Sequence, residues 1–113
     1  GSLLEPSVGN GKLLKYVNIQ NYSLVDVYEL KTEYINQIEN HVINKYNKDF
    51  IKTEITKKYD NIIMNPPYIR IQDLSSEYRS FLKLNYDVIN VGLVDIYYAF
   101  IIKCFTAYLD INI

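Results

Sequence analysis

Apolar residues along this chain come in two spacings that alternate. Leu3-Leu4-Glu5 is a short apolar step that runs into the turn-rich loop Pro6-Ser7-Val8-Gly9-Asn10-Gly11. Lys12 to Val17 then has helical spacing, so the first unit is strand, glycine loop, helix. Ser23 to Tyr28 alternates, carries β-branched and aromatic residues, and predicts a second strand ending on Glu29. A long helix is expected over Thr32 to Tyr46, with Tyr34, Ile35, Ile38, Val42, Ile43 and Tyr46 as its apolar stripe and Thr32 as N-cap. Asp49-Phe50-Ile51 reads as a brief third strand or its end, and Asp60 to Met64 as a fourth. Ser75-Ser76-Glu77 has the look of a helix start leading to Tyr78, Phe81 and Leu82, and a last helix is expected from Leu93 to Tyr108.

Strands alternating with helices predict an α/β fold: right-handed crossovers and a mostly parallel, doubly wound sheet. Ligand sites in such sheets lie beyond the carboxyl ends of the strands. By this reading Glu5 to Gly11, Glu29, Asp49-Phe50 and Asn65 to Tyr68 share one edge, and their convergence is the main reason to expect a ligand site. The chain opens within a strand and stops at Leu109 to Ile113, where a further strand is expected. An incomplete N-terminal part of the fold is therefore expected, with an unpaired edge beside the fourth strand and possible pairing of that edge with a second copy.

Composition narrows the classes. With 113 residues, 49% of them hydrophobic, the chain can build one core. A net charge of -1 provides no global field to draw it onto a phosphate backbone, so any contact with nucleic acid must be local or come from other parts of the protein. The single cysteine, Cys104, allows neither an internal disulfide nor a thiolate metal cluster, and no metal site is expected. No signal-peptide pattern and no apolar run long enough for a bilayer occurs, which favours a soluble, cytoplasmic protein without a membrane partner. His41 and the Lys57-Lys58 pair read as solvated surface.

The stretch Asn65-Pro66-Pro67-Tyr68 is the most specific chemical signal, because a chance occurrence in a chain this long is on the order of one in a thousand. Two prolines lock φ and cannot continue the strand before them. The Asn65 amide oxygen and the Pro66 carbonyl can both accept hydrogen bonds from one -NH₂ group, while Tyr68 offers a flat face for stacking. An exocyclic amine on a heteroaromatic ring is a poor nucleophile; two fixed acceptors stabilise positive charge as it develops on that nitrogen. A base treated in this way must first leave the double helix.

The other clusters are less specific singly. The glycine loop lacks the third glycine of the dinucleotide fingerprint and the Lys-Ser/Thr of a phosphate-cradling loop, and a plain strand-to-helix turn explains it equally well. Glu29 suits ribose hydroxyls or is a solvated strand end. Asp49 suits an adenine amino group, with Phe50 packing on the ring, or is a turn residue. The segment Asp95 to Phe100 reads as the start of a core helix with Asp95 complementing its dipole.

Taken together, Leu4-Glu5-Pro6-Ser7-Val8-Gly9-Asn10-Gly11, Glu29, Asp49-Phe50, Asn65-Pro66-Pro67-Tyr68-Ile69-Arg70 and Asp95-Ile96-Tyr97-Tyr98-Ala99-Phe100 resemble the adenine-specific DNA methyltransferases of restriction-modification systems. The motif order is similar to the γ arrangement, and the stretch from Asn65 to Phe100 looks most like the methylase region of enzymes that combine cleavage with methylation. The resemblance implies a Rossmann-like methyltransferase fold with S-adenosylmethionine as methyl donor and double-stranded DNA as substrate of the parent protein. Glu5, Pro6, Ser7, Gly9 and Gly11 would border the methionine part of the cofactor, Glu29 its ribose, and Asp49, Phe50 and Phe100 its adenine. Asn65, Pro66, Pro67 and Tyr68 would hold the target adenine. Residues 1-113 are thus expected to be the cofactor-binding half of a catalytic domain plus its Asn-Pro-Pro-Tyr motif, without a target-recognition domain, and inactive alone. A protein glutamine or ribosomal RNA methyltransferase is a second reading, though Glu5-Pro6-Ser7 stands where those tend to carry Asp-x-Gly-x-Gly. A non-catalytic methyltransferase-like interaction module is a third.

Overall fold

The computed structural model describes residues 1–86 and 95–108, with side chains as far as residue 105. Four strands form one sheet, β1 (Ser2–Glu5), β2 (Leu24–Tyr28), β3 (Asn44–Tyr46) and β4 (Asn61–Ile62), in the order β3-β2-β1-β4. Among the described residues every pairing within this sheet is parallel. The register runs Ser2 opposite Leu24 to Glu5 opposite Val27, with Leu3 opposite Asn61 and Asp26 opposite Asn44. Parallel strands must be joined by crossovers, so all four carboxyl ends point to the same edge. That edge carries the candidate site.

Alternation along the strands divides the core in two. Leu3, Val25 and Val27 face a cluster with Val8, Leu14, Ile35, Ile38 and Ile43. Leu4 and Tyr28 face the other cluster, with Phe50, Ile51, Leu82, Phe100 and Cys104. Leu3 and Leu4 are wholly buried, each worth about 1.5–3 kcal/mol of apolar transfer. The helices α2 (Ser76–Asn85) and α3 (Tyr97–Tyr108) supply the second cluster. Ser75 caps α2 by accepting from the Tyr78 N–H at 3.1 Å, as its sequence predicts. Asp95 accepts from the Tyr97 N–H at 2.9 Å at the start of α3. The expected helix start at Leu93 and the expected strand at Leu109 to Ile113 lie outside the described residues.

The structure departs from several of these expectations. The long helix over Thr32 to Tyr46 is a single turn, α1 (Thr32–Ile35), and its far end is strand β3. Lys31, not Thr32, is the N-cap; the Thr32 hydroxyl donates to Asn47 Oδ1 at 2.8 Å instead. The apolar stripe was real only in part: Ile35, Ile38 and Ile43 are buried, but Val42 is exposed. Asn40 Oδ1 accepts from the Val42 N–H at 2.8 Å, a local bond that competes with helix, and pairing to the free edge of β2 wins the rest. The strand expected at Asp49-Phe50-Ile51 is a 3₁₀ turn, Phe50–Lys52, capped by Asp49, because β3 has already ended at Tyr46. The helix expected over Lys12 to Val17 is likewise a 3₁₀ turn, Leu13–Tyr16.

Lys57 is exposed, as expected, but it is also tied to the core. Its ammonium lies 3.2 Å from Asp26, a fully buried carboxylate in β2 that also accepts from Tyr59 Oη at 2.5 Å and from Asn44 Nδ2 at 2.9 Å. Three donors satisfy a charge that burial would otherwise make costly. The network ties β3 and the approach to β4 onto β2.

Candidate active site

At the carboxyl edge of the sheet lies a cavity of about 380 Å³, inside the range of roughly 300–1,000 Å³ common for small-molecule sites. Pro6 and Ser7 after β1, Glu29 after β2, Asp49 and Phe50 after β3, and Pro67 after β4 all line it, as does Phe100 from α3. The segments sequence reasoning placed on one edge therefore meet around one space. Not every candidate residue faces it.

Glu5 ends β1 just before the loop and is fully buried, with neither carboxylate oxygen accepting a hydrogen bond among the described residues. Burial pushes its pKa up to about 8; the nearby Ser7 amide opposes this but stands outside hydrogen-bond geometry. Gly9 and Gly11 hold positive φ, 59° and 91°, conformations that cost side-chain-bearing residues free energy. A Cβ on Gly9 would meet open space, whereas one on Gly11 would come within 3.3 Å of Ile38, so Gly11 packs against the protein. The Glu29 carboxylate accepts from the Gly9 N–H at 2.9 Å and the Lys31 N–H at 2.8 Å, closing the loop onto the end of β2.

Asp49 is held at both oxygens. Oδ1 accepts from the Ile51 N–H at 2.9 Å, and Oδ2 accepts from the Tyr78 hydroxyl at 2.7 Å. Phe50 stacks on Phe100 with centroids 5.9 Å apart and planes 18° apart, and Tyr28 meets Phe50 edge-on. The two phenylalanines are in contact, so they form one apolar wall and enclose nothing between them. Behind that wall the Lys103 ammonium donates to the Ile51 carbonyl at 3.1 Å and to the Thr53 carbonyl, and lies 5.2 Å from the Phe50 ring centre. Burial pulls its pKa down to about 8, against a smaller opposing pull from Asp49.

Beyond β4, Ile63 N–H donates to the Leu4 carbonyl at 3.1 Å, so the chain leaves the sheet alongside the glycine loop. Asn65 is exposed and has no hydrogen-bond partner among the described residues, Pro66 is buried, and Tyr68 is 74% exposed. The Tyr68 ring stacks on Tyr97 at 5.4 Å and 16°. An antiparallel bridge from Arg70 to Asp95 and an Ile96 N–H to Ile69 carbonyl bond of 2.9 Å fasten this segment to the start of α3.

The Eco57I restriction-modification methylase family model matches residues 10–110. The chain belongs to this family. It is 38% identical over 104 residues to Type II methyltransferase M.HincII of Haemophilus influenzae, covering 90% of this chain and 20% of the relative. Type II methyltransferase M.HindII of Haemophilus influenzae is also 38% identical over 104 residues, 19% of its length. Type II methyltransferase M.AccI of Acinetobacter calcoaceticus is 30% identical over 84 residues, 67% of this chain and 15% of the relative. The chain spans about a fifth of the length of the first two.

Within this Eco57I-family chain, several residues escaped sequence reasoning. Ile96, Ile69 and Leu74 line the cavity, and Ile96 was findable from its position one helical turn before Phe100. Tyr78, which lines the cavity and binds Asp49, carried no local signal, nor did Tyr97 beneath Tyr68 or Lys103 behind Phe50. Their partners lie 29 or more positions away in all three cases, and only folding brings them close.

Proposed function

We propose that the full-length protein transfers a methyl group from S-adenosylmethionine to the 6-amino group of a flipped-out adenine in double-stranded DNA, within a restriction-modification system, and that residues 1-113 hold the cofactor site and the Asn-Pro-Pro-Tyr corner. The observation that carries this reading is the single cavity at the carboxyl edge that Pro6, Ser7, Glu29, Asp49, Phe50, Pro67 and Phe100 line together. Family membership supports it.

The residues present fit the cofactor. Glu5 is a buried carboxyl without a partner among the described residues, the kind of acceptor an ammonium group would complete. Glu29 is an acceptor at the cavity wall for ribose hydroxyls, Asp49 one for the adenine amino group, and Phe50 with Phe100 an apolar face for the ring. Gly9 keeps the loop free of side-chain bulk, and Gly11 lets it turn. When bound, S-adenosylmethionine supplies an electrophilic methyl group on a sulfonium.

The remaining chemistry belongs to the corner after β4. Asn65 Oδ1 and the Pro66 carbonyl accept hydrogen bonds from the target amine and hold the positive charge that develops on its nitrogen. Pro66 and Pro67 fix the backbone so that the Pro66 carbonyl does not have to reorganise. Tyr68, backed on one face by Tyr97, offers the other to the base.

Asn65→Ala in the full-length protein tests this. Loss of one preorganised charge-stabilising contact is expected to lower kcat by roughly 10²–10³ while leaving cofactor affinity within about twofold. Methyl transfer to DNA is read with radiolabelled cofactor and cofactor binding by calorimetry. Unchanged transfer by the variant refutes the role of Asn65, and cytosine as the methylated base refutes the substrate.

A further inference from the structure

Tyr78 is the one aromatic hydroxyl on the cavity wall, among the described residues, that bonds directly to a proposed ligand-binding carboxylate. It arrives from α2, after the Asn-Pro-Pro-Tyr corner, and reaches back to the turn after β3. Its own position is constrained: its N–H donates to the cap Ser75 and its ring lies 4.6 Å below the Lys52 ammonium. With the Ile51 N–H on Oδ1 and the Tyr78 hydroxyl on Oδ2, the Asp49 carboxylate cannot rotate, and each oxygen keeps one further lone pair. Those lone pairs only accept. An exocyclic amine satisfies them; a ring carbonyl would set oxygen against oxygen.

We propose that Tyr78 is a specificity-determining positioning residue, whose hydroxyl fixes Asp49 as an oriented acceptor so that the cavity takes a 6-amino purine nucleoside and rejects a 6-oxo one. This rests on the cofactor reading of the cavity given above. Tyr78 itself stays protonated, since burial and the Asp49 charge both push its pKa far up, so it remains a donor throughout the working range. Polar selection of this kind discriminates strongly, because the wrong ligand leaves a buried group unpaired.

The test compares S-adenosylhomocysteine with S-inosylhomocysteine, which differ at position 6 of the purine, by calorimetry on the full-length protein. Wild type is expected to favour the 6-amino ligand by at least 100-fold. Tyr78→Phe, which keeps the ring and drops the hydroxyl, is expected to cut that ratio tenfold or more. Replacing Tyr78 by 4-aminophenylalanine restores a donor at the same ring position and is expected to recover most of it, which a packing role alone would not explain. A folded Phe variant with an unchanged ratio overturns the inference alone, as does a 4-aminophenylalanine variant no more selective than Phe. A Phe variant that fails to fold by circular dichroism also overturns it, because the hydroxyl then serves the fold. Wild type binding neither ligand overturns the cofactor reading itself.

Discussion

Glu5→Gln should separate stability from binding at this site in a single substitution. The Glu5 carboxyl is fully buried without a hydrogen-bond partner among the described residues, and burial pushes its pKa up to about 8 from an ordinary 4.5. A group whose folded pKa is raised contributes stability that is present below the unfolded pKa and lost as pH rises toward the folded one. The window here is pH 4.5 to 8. Holding the carboxyl neutral at pH 7.5, where the unfolded chain has released the proton, costs about 4 kcal/mol at roughly 1.4 kcal/mol per pH unit. Glutamine has the same shape and no proton to lose, though its amide is also buried without a partner, which returns about 1–3 kcal/mol of that gain. The decisive quantity is therefore the difference in unfolding free energy between variant and wild type, followed by urea titration from pH 5 to 8. It should grow in favour of the variant by up to about 1.4 kcal/mol per pH unit, while affinity for the proposed cofactor S-adenosylmethionine falls because glutamine cannot ionise to receive its ammonium group. A flat difference curve would mean that Glu5 is ionised in the folded state, and the reasoning from its burial would fail.

Two further substitutions probe the loop and the wall. Gly11→Ala combines a backbone at φ 91° with a Cβ 3.3 Å from Ile38, and should destabilise by roughly 1–3 kcal/mol, more than Gly9→Ala, whose Cβ meets open space; equal midpoints in urea would contradict the packing role of Gly11. Lys103→Met removes an ammonium whose folded pKa is depressed to about 8 from 10.5. Burial disfavours its charged form, so wild type should gain stability relative to this variant as pH rises from 8 toward 10.5, and a constant difference over that interval in thermal melts would show that Lys103 is not desolvated.

Local pattern was sufficient where a segment's own chemistry decided its structure. Leu3-Leu4-Glu5, Leu24 to Tyr28, the Ser75 cap and the proline stop after Met64 all stand close to where the sequence put them, because strand propensity, capping and a locked φ act within a few residues. Parallel pairing followed from the alternation of strands and helices, and with it the shared edge that gathers Pro6, Ser7, Glu29, Asp49, Phe50 and Pro67. The largest departure has a clear cause. Thr32 to Tyr46 has the apolar spacing of a helix, yet Asn44, Lys45 and Tyr46 pair with Asp26, Val27 and Tyr28, since an open parallel edge offers backbone bonds that helical periodicity cannot reveal. Likewise the burial of Glu5 without a partner, the grip of Tyr78 on Asp49 and the stacking of Tyr97 on Tyr68 depend on residues far apart in the chain. Residue order and spacing were enough to say which chemical groups the carboxyl edge of this sheet would carry. How each is charged, oriented and backed came with the fold, because desolvation and hydrogen bonding are set by neighbours that folding brings together.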